Sequence, residues 1–269
     1  MTEITLGPLS ILAVAALLAT LPAGAAHAAD AGDAGDDGPA AVPYRPSVST
    51  PAALSAPGWL EVEAGLQHQH DGAAARRDSL PVTLKLAFTA DWGVRVGSDG
   101  WVRARDGNER DRGYGDTAVV VKRRFAVDEH QAFGLEAGVV VPTARRGLGS
   151  GSGKADYGVN AIYSADFGGW HTDLNATATR LGAVDAGLGR LQWAGAAALS
   201  RSFDAWGIVG EISGARRSGE ASSRQALGAL SYSVSKRLVI DAGMARSLRP
   251  GPPQWSAFTG FTWLAARLF

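Results

Sequence analysis

After its first thirty residues this chain holds no run of 18 apolar residues, yet segment after segment alternates apolar and polar side chains with period two. From Trp59 onward, Leu60, Val62, Ala64 and Leu66 share one face, and Glu61, Glu63 and Gln67 share the other. Val82, Leu84, Leu86 and Phe88 alternate with Thr83 and Lys85, and Phe133, Leu135, Ala137, Val139 and Val141 alternate with Gly134, Glu136 and Gly138. Trp170, Leu174, Ala176 and Ala178 alternate in the same way with His171, Asp173, Asn175 and Thr177. Period two is the signature of a strand with one apolar and one polar face. Helical membrane spans are excluded by length. In lipid, the remaining structure that satisfies every backbone group is a closed barrel.

Such segments number about twelve, near 59–69, 80–89, 92–104, 115–126, 132–142, 156–165, 170–180, 191–201, 206–214, 224–234, 238–247 and 255–269. Most match the ~9–11 residues of a tilted membrane-crossing strand. Their connections alternate in length. Those at 89–91, 127–131, 166–169, 202–205 and 235–237 are short, whereas 70–79, 105–114, 143–155, 181–190, 215–223 and 248–254 are mostly longer and rich in Gly, Arg, Asp and Ser. Outer-membrane barrels have short periplasmic turns and longer external loops, which places both termini on the periplasmic side. Phe88 and Trp92, Phe125 and Phe133, Phe167 and Trp170, and Phe203 and Trp206 flank four of the five short turns, as a periplasmic aromatic girdle would. Trp101, Tyr114, Tyr157, Trp193 and Trp255 are the candidates for an external one. The fold expected is all-β: a transmembrane up-and-down antiparallel barrel of about 12 strands over residues 58–269.

The ends agree with that destination. Residues 1–28 read as a signal peptide, with a short apolar run from Ile11 to Leu18 and a small-x-small site at Ala26-His27-Ala28. Its first ten residues carry Glu3 and no Lys or Arg, a departure from the usual pattern. Residues 29–57, with four aspartates and then Pro43, Pro46, Pro51 and Pro57, read as an extended or disordered periplasmic tail. The last strand alternates Thr259, Phe261, Trp263 and Ala265 toward a terminal Phe269, which resembles the signal read by the barrel assembly machinery. No cysteine is present, so disulfides and thiol chemistry are excluded. Net charge is +0, and about +1 once Glu3 is removed with the leader, which argues against a nucleic-acid partner.

Three stretches resemble the outer-membrane transporter family named for the MetA pathway of phenol degradation. One is Arg45-Pro46-Ser47-Val48-Ser49-Thr50 leading into Pro57 to Gly65. Another is Gly115-Asp116-Thr117 with Lys122 and Arg124. The third runs from Val141-Pro142-Thr143 through Gly151 to Gly158 and on to Asn175, with Tyr232 and Leu238 to Gly243 in agreement. The resemblance covers most of residues 45–269. It implies a transporter-like pore, with the phenol of the family's name an association and not a substrate.

The polar positions expected to face the lumen, and so to line a pore, are Glu61, Glu63, Lys85, Arg95, Asp116, Lys122, Arg124, Glu136, Asn160, Asp173, Asn175, Glu211, Gln225 and Asp241. They could form a conduit whose charges select solutes, or fill the lumen with their own ion pairs, since barrels near twelve strands lie between filled and openly aqueous sizes. The arginines of the long loops, Arg76, Arg77, Arg103, Arg105, Arg110, Arg112, Arg145, Arg146, Arg216, Arg217 and Arg249 with Lys154, suit phosphate and make lipopolysaccharide an expected contact. Gly149 to Lys154 looks like a phosphate loop but has Leu148 in place of the first Gly and Ala155 in place of Ser or Thr, so a flexible external loop is expected. His68 and His70 share a strand face without further fixed ligands, and His171 and Asp173 share another without a nucleophile. No metal, cofactor or catalytic residue is therefore expected. The function expected is passive passage of small hydrophobic or aromatic molecules. The alternatives are a structural or adhesive barrel with a closed lumen, and a barrel enzyme.

Overall fold

Each alternating segment needs a hydrogen-bonding partner on both edges, and the chain supplies it by closing on itself. The structure, a computed structural model, describes residues 38–72, 75–144, 151–249 and 253–269. The expected leader, residues 1–28, and residues 29–37 lie outside them. Twelve long antiparallel strands form the wall: β1 (Trp59–Asp71), β2 (Ala75–Ala87), β3 (Trp92–Asp106), β5 (Thr117–Ala126), β6 (Gln131–Val141), β7 (Asp156–Phe167), β8 (Trp170–Arg180), β9 (Leu191–Phe203), β10 (Trp206–Arg217), β11 (Ser223–Ser235), β12 (Leu238–Ser247) and β13 (Trp255–Arg267). Each pairs with its neighbours in order, and β13 pairs with β1 to close the ring. A thirteenth short strand, β4 (Glu109–Gly113), lies in the stretch expected as a loop and pairs only with β3. Strand β2 also reaches outward to Ala75, beyond its expected start.

Register carries the alternation around the ring. Lys122 lies opposite Glu136, Glu136 opposite Asn160, and Glu61 opposite Lys85, so the polar residues meet on one inner face. Leu66, Leu135, Val159, Leu174, Leu199, Ile212 and Leu230 stay exposed on the outer face, a lipid-facing band. Phe88, Trp92, Phe125, Phe133, Phe167, Phe203 and Trp206 are exposed around the short turns, as the girdle pattern predicts. Inside the ring, one arc of wall is apolar: Ala198, Val209, Leu227, Ala229 and Ala245 cluster with Phe258 beside them.

The expectation of a disordered tail is overturned for residues 38–57. They run inside the barrel. The Ala41 N–H donates to the Lys236 carbonyl at a short turn, 2.8 Å away, and Tyr44, Ser49, Thr50 and Ala52 are almost wholly buried within the lumen. Gly58 returns to the same rim, its N–H on the Ala87 carbonyl at 2.9 Å and its carbonyl accepting from Leu268 at 2.7 Å. The segment is thus a loop that rises from the short-turn end and comes back to it. Two apolar contacts seat it, Ala41 against Val239 and Leu264, and Ala52 against Ala132 and Ile162. A Pro/Ala-rich stretch cannot make a core of its own, but it can fill one that a barrel wall supplies.

The two faces make opposite demands. Ile212, 63% exposed in the middle of β10, faces outward, whereas Gln225 on the neighbouring strand lines internal cavities. Ile212→Arg should lower the stability of the barrel refolded in vesicles by about 2–4 kcal/mol, the cost of a cation near the bilayer midplane. Gln225→Arg should change it by less than about 1 kcal/mol. A urea titration followed by tryptophan fluorescence measures both.

Candidate functional site: the lumen and its internal segment

Carboxylates on the wall hold the internal segment by its backbone. Glu61 accepts the Val42 N–H at 2.8 Å and Glu63 accepts the Tyr44 N–H at 2.6 Å. Lys85 Nζ lies 2.5 Å from Glu61 and 2.6 Å from Glu63, and donates to the Val42 carbonyl at 2.7 Å. Glu211 takes three donors from one bend of the segment: the N–H groups of Val48 and Ser49 at 2.8 Å each, and the Ser49 hydroxyl at 2.9 Å. Donors to an ionised acceptor make bonds roughly twice as strong as neutral ones. Asn175 pairs with the backbone of Thr50 in both directions, accepting its N–H at 2.9 Å and donating to its carbonyl at 2.9 Å.

Two side chains of the segment reach furthest. The Arg45 guanidinium forms a two-point pair with Asp241, at 3.0 and 3.1 Å. It fits because Gly65 and Gly260, directly opposite each other on β1 and β13, leave the wall bare there. A Cβ at Gly65 or Gly260 would come within 2.6 or 2.7 Å of guanidinium atoms. The Arg45-Pro46 peptide bond is cis. Tyr44 lies between two cations, Lys85 Nζ 3.9 Å and Lys122 Nζ 4.3 Å from its ring centre. Its hydroxyl donates to the Ala53 carbonyl at 2.7 Å and accepts from Lys122 at 2.9 Å.

Around this the wall completes its own pairing. Glu136 receives Arg95 at 3.1 Å, Asn160 at 3.0 Å and Lys122 at 3.6 Å, and Lys122 also donates to the Pro51 carbonyl. Ser164 accepts the Ala52 N–H at 2.7 Å and donates to Asp173 at 2.5 Å. His171 sits between Asp166 at 2.7 Å and Asp173 at 3.2 Å, and the Ser164 hydroxyl donates to the same Asp173 oxygen. Buried charges cost least where each is paired and further hydrogen-bonded. Lys85 with Glu61 and Glu63, Arg95 and Lys122 with Glu136, and Arg45 with Asp241 are so paired. Glu211 is held instead by the segment's N–H and O–H donors.

Of the fourteen residues expected to line a pore, Glu61, Glu63, Lys85, Arg95, Lys122, Glu136, Asn160, Asp173, Asn175, Glu211 and Asp241 converge on this single network. Gln225 lines the space above it. Asp116 stands apart at the long-loop mouth, where it accepts the N–H groups of Ala144 at 3.0 Å and Ser152 at 3.4 Å. Burial raises its carboxyl above the usual range, and those two bonds draw it partly back. Its work there is to fix a loop. Arg124 is half-buried near a short turn, its own N–H on the Asp91 carbonyl at 2.8 Å. The residues that sequence reasoning did not place in the lumen are those of the segment, above all Tyr44 and Arg45, although Arg45 to Thr50 carry part of the family resemblance. The glycine pair that admits Arg45 it did not single out.

Space remains on the long-loop side of the segment. One cavity of about 100 Å³ has Val48, Thr50 and Asn175 at one side and Ala194, Ala196 and Gln225 at another. A second, of about 70 Å³, runs from Arg45 and Val48 to Leu227, Ala245 and Phe258, along the apolar arc. The lumen is therefore a vestibule with a two-sided lining, closed toward the short turns by the chain's own residues.

Solved structures of channels share this architecture. An outer membrane channel from Pseudomonas putida F1 superposes with a TM-score of 0.63 at 12% identity, covering 79% of this chain and 97% of the other. The KdgM porin gives 0.54 at 12% identity, covering 76% and 99%, and the NanC porin 0.53 at 9%, covering 77% and 100%. No curated protein matches the sequence. A family model does, over residues 54–265, and with it the resemblance of the scattered motifs becomes membership: the chain belongs to the family described as "Putative MetA-pathway of phenol degradation".

Proposed function

We propose that the chain is a passive channel of the outer membrane for small hydrophobic or aromatic molecules, whose lumen is closed at rest by residues 41–57. The observation that carries the reading is the two-sided vestibule. A closed, purely structural barrel has no use for an apolar arc inside its lumen, yet Val209, Leu227, Ala245 and Phe258 line one beside the cavities. An apolar solute could lie along that arc while its polar end meets Thr50, Asn160 or Gln225. The porin and channel folds of the solved neighbours support a pore-like role. In this reading the leader is cleaved after Ala28, both termini lie in the periplasm, and Phe269, 62% exposed, is free to be read during assembly.

The rival, a barrel with a permanently closed lumen, draws on the density of ion pairs around Glu63 and Glu136. Moving the segment separates the two. Lys85 keeps Glu61 and Glu63, and Arg95 and Lys122 keep Glu136, when the segment leaves. Glu211 and Asp241 lose the segment's N–H groups and Arg45, and are left for water to hydrate.

Single-channel recording of residues 29–269 in a planar bilayer should show small, infrequent current steps. Removal of residues 29–57 should raise the mean current about tenfold or more, because a lumen of about twelve strands then opens. In the opened form Glu136→Lys should shift ion selectivity toward anions. A folded, segment-free barrel that passes no current would overturn the proposal in favour of the closed barrel.

A gentler displacement leaves the chain full length. Arg45→Ala removes the two-point pair with Asp241 and leaves the wall unchanged, so residues 38–57 should become open to limited proteolysis while the barrel stays resistant. In the parent protein the same residues should resist, being buried in the lumen. Equal cleavage of both would count against Arg45 as the latch.

A further inference from the structure

Five arginines outside the barrel face one another across strands, where cross-strand pairing ordinarily sets opposite charges together. On the outer face, just beyond the lipid band, one rung runs Trp255, His70, Arg76, Arg105, Arg110, each directly opposite the next on β13, β1, β2, β3 and β4. The next rung toward the membrane runs Ala257, His68, Asp78, Arg103, Arg112. Three arginine pairs, Arg76–Arg105, Arg105–Arg110 and Arg103–Arg112, are thus in direct opposition, an arrangement that destabilises a sheet.

The same strands carry acids that could have neutralised them. By strand alternation Asp71, Asp106, Glu109 and Asp111 fall on the opposite face of this extension. Arg77 also falls there, paired with Asp99. The single acid among the arginines, Asp78, is engaged by His68 at 2.6 Å. Signs are segregated by face, and Arg76, Arg103, Arg110 and Arg112 are exposed. A pocket of about 160 Å³ lies among Arg76, Asp78, Arg103, Ala104, Arg105 and Arg110.

Height identifies the anion. Trp101 and Leu66 come next below the rungs on β3 and β1, and the exposed Leu84 and Val96, opposite each other, lie deeper in the lipid band. Trp255 stacks on His70 at 5.4 Å. Aromatic residues mark the membrane interface, so the arginines lie at the level of lipid headgroups. Their forked donors match phosphate oxygens. We propose that this face binds the phosphate groups of a glycolipid in the outer leaflet, the lipid A portion of lipopolysaccharide, with its acyl chains laid along Leu66, Leu84 and Val96. The inference rests on the outer-membrane barrel reading and is independent of passage through the lumen.

The test uses the folded chain, residues 29–269, in detergent micelles, titrated with diphosphoryl lipid A, with its dephosphorylated form and with inorganic phosphate. Diphosphoryl lipid A should bind about tenfold or more tighter than the dephosphorylated form. The variant Arg76→Gln/Arg105→Gln/Arg110→Gln should lose about tenfold, and Arg105→Gln alone about threefold. A control of equal charge change at the same end, Arg180→Gln/Arg216→Gln/Arg249→Gln, should stay within about twofold. Heat-modifiable mobility on gels confirms that each variant folds. Equal loss in the control, or equal binding of the dephosphorylated lipid, would overturn the proposal. So would inorganic phosphate binding as tightly as lipid A, which would point to a soluble anion.

Discussion

Backbone groups that face lipid have no water to turn to, and this one constraint organises the molecule. It forces β13 back onto β1, because an open edge would leave a row of unpaired N–H and C=O groups. Closure then fixes which residues are inside: in a pleated wall every second side chain points to the lumen. The chain meets lipid with Leu, Ile, Val and aromatic residues, and what remains must be accommodated in a narrow interior. A register slip of one residue on any strand would exchange the two sets, placing Glu61 and Glu63 in lipid.

The interior so created is short of donors. Among the residues assigned to it from alternation, Glu61, Glu63, Asp116, Glu136, Asp173, Glu211 and Asp241 are acids, and Lys85, Arg95, Lys122 and Arg124 are bases. Segment 38–57 corrects that imbalance without contributing a second cation beyond Arg45. It offers backbone N–H groups, which Glu61, Glu63 and Glu211 accept, and so answers charge with dipoles. A regular helix or strand could not do this, because its N–H groups are already spent on itself. The irregular, proline-punctuated course of the segment is what leaves them available.

The barrel was legible in the sequence because its cause is local: period two, short turns alternating with long loops, aromatics beside the turns. The inward set was legible for the same reason, and eleven of its fourteen members meet in one network. What alternation could not show was that residues 38–57 belong to that network. Pro43, Pro46 and Pro51 bar them from strand or helix, and apolar residues that are mostly alanine point to a stretch that cannot bury a core. That inference holds for a segment alone in water. It fails where a preformed wall supplies acceptors. The excess of inward acids over inward bases was the available signal, together with a tyrosine and an arginine placed side by side in an otherwise small-residue stretch.

How the segment is anchored also bears on how it could move. Ala41 meets the Lys236 turn, and Gly58 meets Ala87 and Phe269, so both ends of the loop are tied to the short-turn rim. Everything between them can leave by the route it came without threading through the ring. The contacts to be broken differ in kind. Glu61, Glu63 and Glu136 keep a lysine or arginine of the wall whichever position the segment takes. Only Glu211 and Asp241 depend on it for their principal partners, and both lie on the side of the lumen that carries the apolar arc. A solute arriving there competes for the space of Val48 and Arg45 and not for the paired charges of the opposite wall. The wall is thus divided into a part that stays satisfied and a part that is satisfied by the segment, and the second part is where the cavities are.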